Sequence, residues 1–235
     1  MKRGIFLPVL FVALIITTSF SNGQTEKETR NVTGFTKVGF GVSGNLSINF
    51  GPEFKVVLEG DKASLEEIIT EVSGDKLVIR KERDSWRNNM HEKVSVYITM
   101  PELKGLSVSG SGKAEVKDVL KTSELSLNVS GSGKIYTTDI IVSNLECGIS
   151  GSGDINIGGN GKASSADISI SGSGNCSCET LKSGTAKIHI SGSGNCYCNV
   201  TDALQASVSG SGNVTYIGNP KVDVRVSGSG HVRSK

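Results

Sequence analysis

The sequence predicts an all-β chain that folds as a right-handed parallel β-helix, a solenoid of about 18–21 residues per rung. A period near 20 residues is typical of a solenoid, in which each repeat forms one turn of a coil. Glycine is abundant, at 30 of 235 residues, and aromatic residues make up only 5%. A solenoid tolerates that composition because stacked small and β-branched side chains fill its interior. The period itself comes from seven copies of Ser-Gly-Ser-Gly, which start at Ser109, Ser130, Ser150, Ser171, Ser191, Ser209 and Ser227.

Apolar and polar residues alternate on both sides of each Ser-Gly-Ser-Gly. In the second copy Leu127 and Val129 flank Asn128 before the motif, and Ile135 and Thr137 flank Tyr136 after it. This two-residue period indicates half-buried strands, and a strand that recurs in every rung must pair with its own copy in parallel. Parallel crossovers are right-handed in almost all proteins, and the glycines permit a tight corner between strands.

The chain divides into four predicted segments. Residues 1–23 resemble a signal peptide, with Lys2 and Arg3 before an apolar run from Ile5 to Ile16, and residues 24–34 are predicted to form a flexible tail. Residues 35–105 form an irregular, β-rich cap and the early β-helix, with one short helix over Ala63–Val72. Residues 106–235 form the regular β-helix with its seven Ser-Gly-Ser-Gly rungs.

Charge and hydropathy narrow the function classes. The net charge is only +2 and no basic block occurs, so nucleic acid is not an expected partner. The leader is too short to span a bilayer and no later segment is apolar enough, so we expect no transmembrane segment. Because the signal peptide predicts export, we expect the protein in the periplasm, on the outer-membrane surface or in the extracellular space.

The chain resembles the putative auto-transporter adhesin, head GIN domain family of bacteria. The resemblance rests on a Phe-rich N-terminal β segment, a Gly60-Asp61 element, a Pro-x-Leu lead-in at Pro101-Glu102-Leu103 and the Val-Ser-Gly-Ser-Gly repeats, and it covers about residues 35–235. It implies a β-helical fold and an envelope or extracellular location. It supplies no catalytic or binding residues.

Four of the five cysteines occupy adjacent rungs. Cys176 and Cys178 lie in one rung and Cys196 and Cys198 in the next, all in inward columns, whereas Cys147 lies in another column. Two Cys-x-Cys pairs have the composition of a zinc site, and parallel rung spacing also permits disulfides. Because two inward residues per strand explain the spacing without metal, a buried ladder of free thiols is favoured, and no metal or cofactor is predicted.

A catalytic set is not predicted. The histidines His91, His189 and His231 have no companion nucleophile and acid at a spacing typical of a catalytic set. The outward acids fall on different rungs, whereas a glycosidase needs two carboxylates within about 10 Å of each other. The chain is therefore predicted not to be an enzyme, and a groove with converging carboxylates would favour the opposite.

The remaining feature is the outer surface. Tyr136 and Tyr197 are predicted to share one outward column three rungs apart, where tyrosine can stack on sugars or on another protein. Trp86, in a polar loop over Arg83–Lys93, is the rival binding residue. The sequence thus favours an exported, non-enzymatic binding or adhesion module for a glycan or surface protein. A scaffold without a specific ligand and a carbohydrate-active enzyme are the alternatives.

The last rung bears on self-association. Its apolar strand residues have no further repeat to pack on, and Arg225, Arg233 and Lys235 cluster nearby. Charge is a common protection of exposed strand edges. We expect a monomer or a weak dimer.

Overall fold

The computed structural model of the protein describes residues 25–82 and 94–235. The fold is nearly all β, with 73% of residues in strands and one short helix, and stacked parallel strands form a β-solenoid of about six turns. This confirms the predicted fold class. The predicted signal peptide over 1–23 lies outside the described residues. Within the described residues, no helix has both the length and the apolar character needed to cross a bilayer.

The regular coil repeats a long strand, a Ser-Gly-Ser-Gly corner and a short strand. In later rungs one continuous strand runs through a short segment and the next long one. The coil's strands are β8 (Gly105–Gly110), β9 (Lys113–Val116), β10 (Leu120–Gly131), β11 (Lys134–Thr137), β12 (Ile140–Gly151), β13 (Asp154–Ile157), β14 (Lys162–Gly172), β15 (Asn175–Gly192), β16 (Asn195–Gly210), β17 (Asn213–Ile217), β18 (Lys221–Gly228) and β19 (His231–Ser234).

The register of the coil is the one that the repeat predicts. Val129 of β10 pairs with Val108 of β8 on one side and with Ile149 of β12 on the other, in parallel. Ile170 continues the same column and is 1% exposed. Each rung therefore packs its apolar side chains on the copies before and after it.

The two glycines of each corner have different roles. The first takes a positive φ, which is 126° at Gly192, a conformation that side chains with a Cβ rarely adopt. The second allows close stacking: a Cβ on Gly194 would lie 2.4 Å from the carbonyl oxygen of Gly174 in the preceding rung. Because both demands recur in every interior turn, the motif keeps both glycines.

The N-terminal region adds strands out of chain order. Its elements are β1 (Glu26–Arg30), β2 (Lys37–Gly41), β3 (Gly44–Phe50), β4 (Lys55–Gly60), α1 (Lys62–Glu66), β5 (Ile68–Ser73), β6 (Lys76–Lys81) and β7 (Val94–Met100). The rung of β2 and β3 lies between the rung of β6 and β7 and the rung of β8 and β9, all in parallel. Beyond β6 and β7 the pairing becomes antiparallel, with β5 on β6, β4 on β7 and β1 on β4.

Two expectations for this region are wrong. The helix predicted over Ala63–Val72 ends at Glu66, and the rest of that segment is β5, whose β-branched residues suit its antiparallel pairing with β6. Asp61 caps α1 by accepting a hydrogen bond from the backbone nitrogen of Ser64. The predicted tail over 24–34 contains β1, held by the pairing with β4 and by an ion pair between Lys27 and Glu59 at 3.4 Å.

The interior changes character along the axis. Near the N-terminal end it holds large rings, including the buried Phe35, whose centroid lies 4.8 Å from that of Phe54. In the regular coil, the interior contains mainly small and β-branched side chains. In β18 the apolar columns emerge into solvent, where Val222, Val224 and Val226 are 40–44% exposed.

Candidate binding face

The outer surface of the coil has two long faces of different character. We call the outward surface of the long strands the long-strand face. The outward surface of the short segments, with the matching parts of β3 and β7, is the short-strand face. The two faces meet at the Ser-Gly-Ser-Gly corner, and the same parallel register aligns the side chains of both faces from rung to rung.

Tyr136 and Tyr197 lie in one outward column of the short-strand face. Parallel pairing carries the column from Tyr136 to Asn156, then to Ser177, then to Tyr197. The two tyrosines are therefore three rungs apart, as the sequence predicts. Tyr197 is 37% exposed and Tyr136 is half-buried.

A third tyrosine, Tyr97, belongs to the same column and was not found by sequence reasoning. The column runs from Tyr136 to Glu115, to Ser47 of β3, and then to Tyr97 of β7. Tyr97 is 42% exposed and also stands three rungs from Tyr136. Three of the chain's four tyrosines thus occupy one column at equal intervals. The sequence hides this because β3, which precedes β7 in the chain, lies between β7 and β9 in space.

Tyr136 is held by a neighbouring cation. The Nζ atom of Lys113 lies 4.7 Å from the centroid of the Tyr136 ring, in the geometry of a cation–π contact. The same Nζ lies 4.0 Å from a carboxylate oxygen of Glu115. Lys113 therefore covers part of the Tyr136 ring.

A shallow hollow of about 420 Å³ separates Tyr136 from Tyr197. Asn156 and Ser177 lie between the two rings, and a Lys134–Asp154 ion pair of 2.8 Å lines one side. Burial raises the pKa of Asp154, but hydrogen bonds from Lys134 and Asn175 outweigh that effect and hold the pKa below its ordinary value. The carboxylate is therefore charged at neutral pH and keeps its ion pair.

A ladder of side-chain amides borders the same face. Asn175 donates to Asp154 at 3.0 Å, Asn195 donates to Asn175 at 2.9 Å, and Asn213 donates to Asn195 at 3.0 Å. Each donor and its acceptor lie on adjacent rungs at the start of the short segments. This chain of hydrogen bonds fixes the edge on which the tyrosine column stands.

The long-strand face contains an open groove of about 1170 Å³ lined by both polar and apolar side chains. Two of its carboxylates, Glu146 and Asp167, are neighbours in the parallel register of β12 and β14, and Lys187 follows on the next strand. Both acidic side chains are exposed. The sequence analysis predicts no acid pair here because the two residues fall on different rungs, whereas stacking makes equivalent positions of consecutive rungs neighbours.

The comparison with known proteins places the chain in a family. Residues 34–220 match the family model described as putative auto-transporter adhesin, head GIN domain. The chain belongs to this family. The resemblance inferred from the repeats is thereby confirmed, and membership suggests an exported or surface protein. No functionally curated protein matches the chain.

Solved structures of similar fold include proteins from Bacteroides and Parabacteroides species. A putative adhesin from Bacteroides fragilis is 23% identical, with a TM-score of 0.83 over 90% of this chain and 97% of its own. A putative adhesin from Parabacteroides merdae is 23% identical, with a TM-score of 0.70 over 91% and 97%. A protein from Parabacteroides distasonis described as a putative lipid binding protein is 21% identical, with a TM-score of 0.71 over 91% and 98%. At these identities the likeness shows a shared fold and gives no information about the ligand.

The five cysteines of this family member are all buried and free. Cys147 is not isolated: its thiol raises the pKa of Cys176 through a hydrogen bond, and burial adds to the effect. The contact with Cys176 and burial raise the pKa of Cys178 well above the ordinary value, and contacts with Cys176 and Cys198 together with burial do the same for Cys196. Within residues 25–82 and 94–235, no cluster of three or more histidine, cysteine or acidic side chains is arranged to hold a metal ion.

Trp86, the rival binding residue, lies outside the described residues. The strands on either side of its segment are β6, which ends at Lys81, and β7, which begins at Val94. In the parallel register Arg80 pairs with Gly41 and Val94 pairs with Gly44. β6 therefore ends, and β7 begins, beside the residues that form the corner between β2 and β3.

Proposed function

We propose that this protein is an exported, non-enzymatic binding module of the bacterial cell envelope that adheres through its short-strand face. The proposal depends above all on the outward tyrosine column, in which serine and asparagine side chains lie between the rings of Tyr136 and Tyr197. Tyrosine offers an apolar ring and a hydroxyl at little conformational cost, which suits recognition on a flat polar surface. The family's description as an adhesin supports the same function class.

Attachment by such a face is expected to depend on several copies. One flat face gives modest single-site affinity, and multiple copies on a cell surface multiply weak contacts through avidity. We expect the protein to remain a monomer or weak dimer in solution and to bind a glycan or a surface protein, with no cofactor. Its location would be the periplasm, the outer-membrane surface or the outside of the cell.

The test is attachment of the mature protein, displayed on beads, to glycan and surface-protein arrays. The double variant Tyr136→Ala/Tyr197→Ala should lose attachment, while circular dichroism shows an unchanged fold. The matched control is Asn128→Ala/His189→Ala on the long-strand face, which should attach normally. Loss of attachment in Trp86→Ala, with the tyrosine double variant unaffected, would move the site to the loop and refute the face. Attachment of none of the proteins would favour a scaffold without a specific ligand.

A carbohydrate-active enzyme is the second candidate, favoured by the adjacent Glu146 and Asp167 in the groove. Against it, a general acid at neutral pH normally needs a buried carboxyl group, and both side chains are exposed. The check is release of reducing sugars or unsaturated products from a panel of polysaccharides. Activity that disappears in Glu146→Gln or Asp167→Asn would reject the non-enzymatic function.

A further inference from the structure

We propose that the short-strand face binds a single linear, uncharged β-1,4-linked polysaccharide that runs parallel to the solenoid axis and contacts Tyr97, Tyr136 and Tyr197 in succession. The inference rests on the proposed binding function of this face and specifies the class of ligand and its direction. Nothing in the sequence repeats alone suggests it, because Tyr97 joins the column only through the order of strands in space.

The spacing of the rings is the first argument. Tyr97 and Tyr136 are three rungs apart, and so are Tyr136 and Tyr197. At the strand spacing of a sheet, each interval is about 14 Å and the whole column about 29 Å long. In an extended β-linked chain each pyranose ring advances by about one strand spacing. Every third sugar can therefore meet a tyrosine while the chain stays straight.

The floor between the rings suits the sugars that lie between them. Ser47 and Glu115 separate the first pair of tyrosines, and Asn156 and Ser177 separate the second pair. These side chains are short or polar, and a hollow of about 420 Å³ lies between Tyr136 and Tyr197. Hydroxyl, amide and carboxylate groups are the partners that sugar hydroxyls need.

The area of the face favours a thin chain over a globular protein. The segments β9, β11 and β13 are four residues long, which makes the face about 13 Å wide. Over the length of the tyrosine column the area is roughly 400 Å², about half of the ~800 Å² per partner that a stable protein interface buries. A linear polymer needs only this narrow strip.

The charge of the face favours an uncharged polymer. Along the stretch from Tyr97 to Tyr197, three acids are paired with lysines: Glu115 with Lys113 at 4.0 Å, Asp154 with Lys134 at 2.8 Å, and Glu179 with Lys235 at 2.8 Å. Arg233 belongs to the same column but lies two rungs beyond Tyr197, outside this stretch. An acidic polysaccharide would have to compete with these carboxylates for the cations. A neutral chain leaves the pairs in place.

The length of the ligand tests the inference. Titration calorimetry would use β-1,4-linked oligomers of glucose, mannose, xylose and N-acetylglucosamine, from two to ten sugars long. For the sugar type that binds, affinity should rise with length and level off near seven sugars, because about seven rings span the six rung spacings of the column. Each tyrosine removed should lower the affinity for the longest oligomer about three- to tenfold.

The individual variants give a pattern that only this arrangement produces. Tyr97→Ala should abolish the gain between about four and seven sugars and leave binding of four-sugar oligomers within about twofold. Tyr136→Ala should weaken oligomers of every length, because it breaks both intervals. The conservative Tyr97→Phe should restore most of the gain, since the ring is kept. Asn128→Ala on the long-strand face is the matched control and should change nothing.

Three results would overturn the inference. Equal affinity for short and long oligomers would refute the axial direction. Loss of binding in Asn128→Ala alone would assign the ligand to the groove. Binding of no oligomer would refute the polysaccharide, including the case in which a protein is the ligand. In the last case the adhesion function survives if attachment to cells still requires Tyr136 and Tyr197, so the two failures are distinguishable.

Discussion

The regular coil and the N-terminal region use the same parallel register but build it differently. In the coil each rung follows its neighbour in sequence, and β10, β12 and β14 stack in chain order. In the N-terminal region the rung of β2 and β3 lies between the rung of β6 and β7 and the rung of β8 and β9, and antiparallel strands cover the far end. In the coil, the order of the strands in the chain therefore gives their order in space. In the N-terminal region, the position of a strand depends instead on which strand edge it pairs with.

The two ends of the solenoid differ for the same reason. At the N-terminal end, β5 pairs with β6 and β4 pairs with β7, and the buried ring of Phe35 packs on that of Phe54. At the other end, β18 pairs only with β16 within the described residues, and its valines are exposed. Stability should therefore depend on position in the coil even where the sequence of the rung is the same.

The largest expected effect compares one substitution at two levels of the same column. Ile170→Asp places an unpaired carboxylate in a dry interior and should cost at least ~3 kcal/mol of unfolding free energy, or prevent folding. Val226→Asp, in the same column at the last rung, should cost under about 1 kcal/mol because Val226 is 42% exposed. Denaturant unfolding measures both. Equal costs would mean that the last rung is covered in solution.

The next effect compares two corner glycines. At Gly192, alanine would combine a φ of 126° with a Cβ 2.4 Å from the carbonyl oxygen of Gly172, and we expect a loss above ~3 kcal/mol. At Gly110, which borders the N-terminal region, φ is 87° and a Cβ would meet no atom within 4 Å, so only the backbone strain of ~1–2 kcal/mol applies. Thermal unfolding distinguishes the two; a similar loss at both would show that φ alone makes glycine necessary.

These two comparisons show how much of the fold can be predicted from the sequence. The column of Ile170 and the corner at Gly192 follow from seven in-register copies, because parallel stacking forces equivalent residues together. The place of Tyr97 does not follow, since no local pattern says that β3 lies between β7 and β9. The predicted helix is too long because Leu65, Ile68, Ile69 and Val72 have helical spacing. Antiparallel pairing with β6 places the second half of that segment in strand β5 instead. The pairing of Glu146 and Asp167 does follow from the repeat, because each residue stands four positions before its Ser-Gly-Ser-Gly and equivalent positions stack.

The cysteine ladder gives the regular coil a pH dependence that the N-terminal region lacks. The pKa values of Cys176, Cys178 and Cys196 are raised, so the folded state keeps protons that the unfolded chain loses as pH rises past the ordinary thiol value of 9.0. The unfolding free energy contributed by these thiols is thus fully present below pH 9 and declines above it, by at most about 1.4 kcal/mol per pH unit for each thiol.

Unfolding by urea in reductant at pH 8 and pH 10 measures this decline. The comparison protein is Cys176→Ala/Cys196→Ala, which keeps small apolar groups in the ladder and should lose less stability between the two pH values. An identical decline in both proteins would assign the effect to lysine and tyrosine titration.

The exposed last rung predicts a difference in self-association between the ends. Arg225 and Arg233 project near the open edge, and like charges oppose pairing of two such edges. Arg225→Val/Arg233→Val should therefore raise the mass measured by light scattering at high protein concentration. The control, Lys121→Ala/Lys162→Ala, removes two exposed charges from the middle of the coil and should stay unchanged. Unaltered scattering of the first variant would show that these arginines do not protect the edge.

The smallest effect concerns the cation over Tyr136. Tyr97, from the N-terminal region, has no cation–π partner among the described residues, whereas Lys113 lies 4.7 Å from the Tyr136 ring. An exposed cation–π contact is worth about 0.5–1 kcal/mol, which a sugar stacking on that ring must replace. Lys113→Ala should therefore raise the affinity for oligosaccharides that reach Tyr136 by about two- to fivefold. Lys113→Arg keeps the cation over the ring and should leave the affinity near that of the native protein. A lower affinity in Lys113→Ala would instead mean that the lysine contacts the ligand or holds the ring in its binding position.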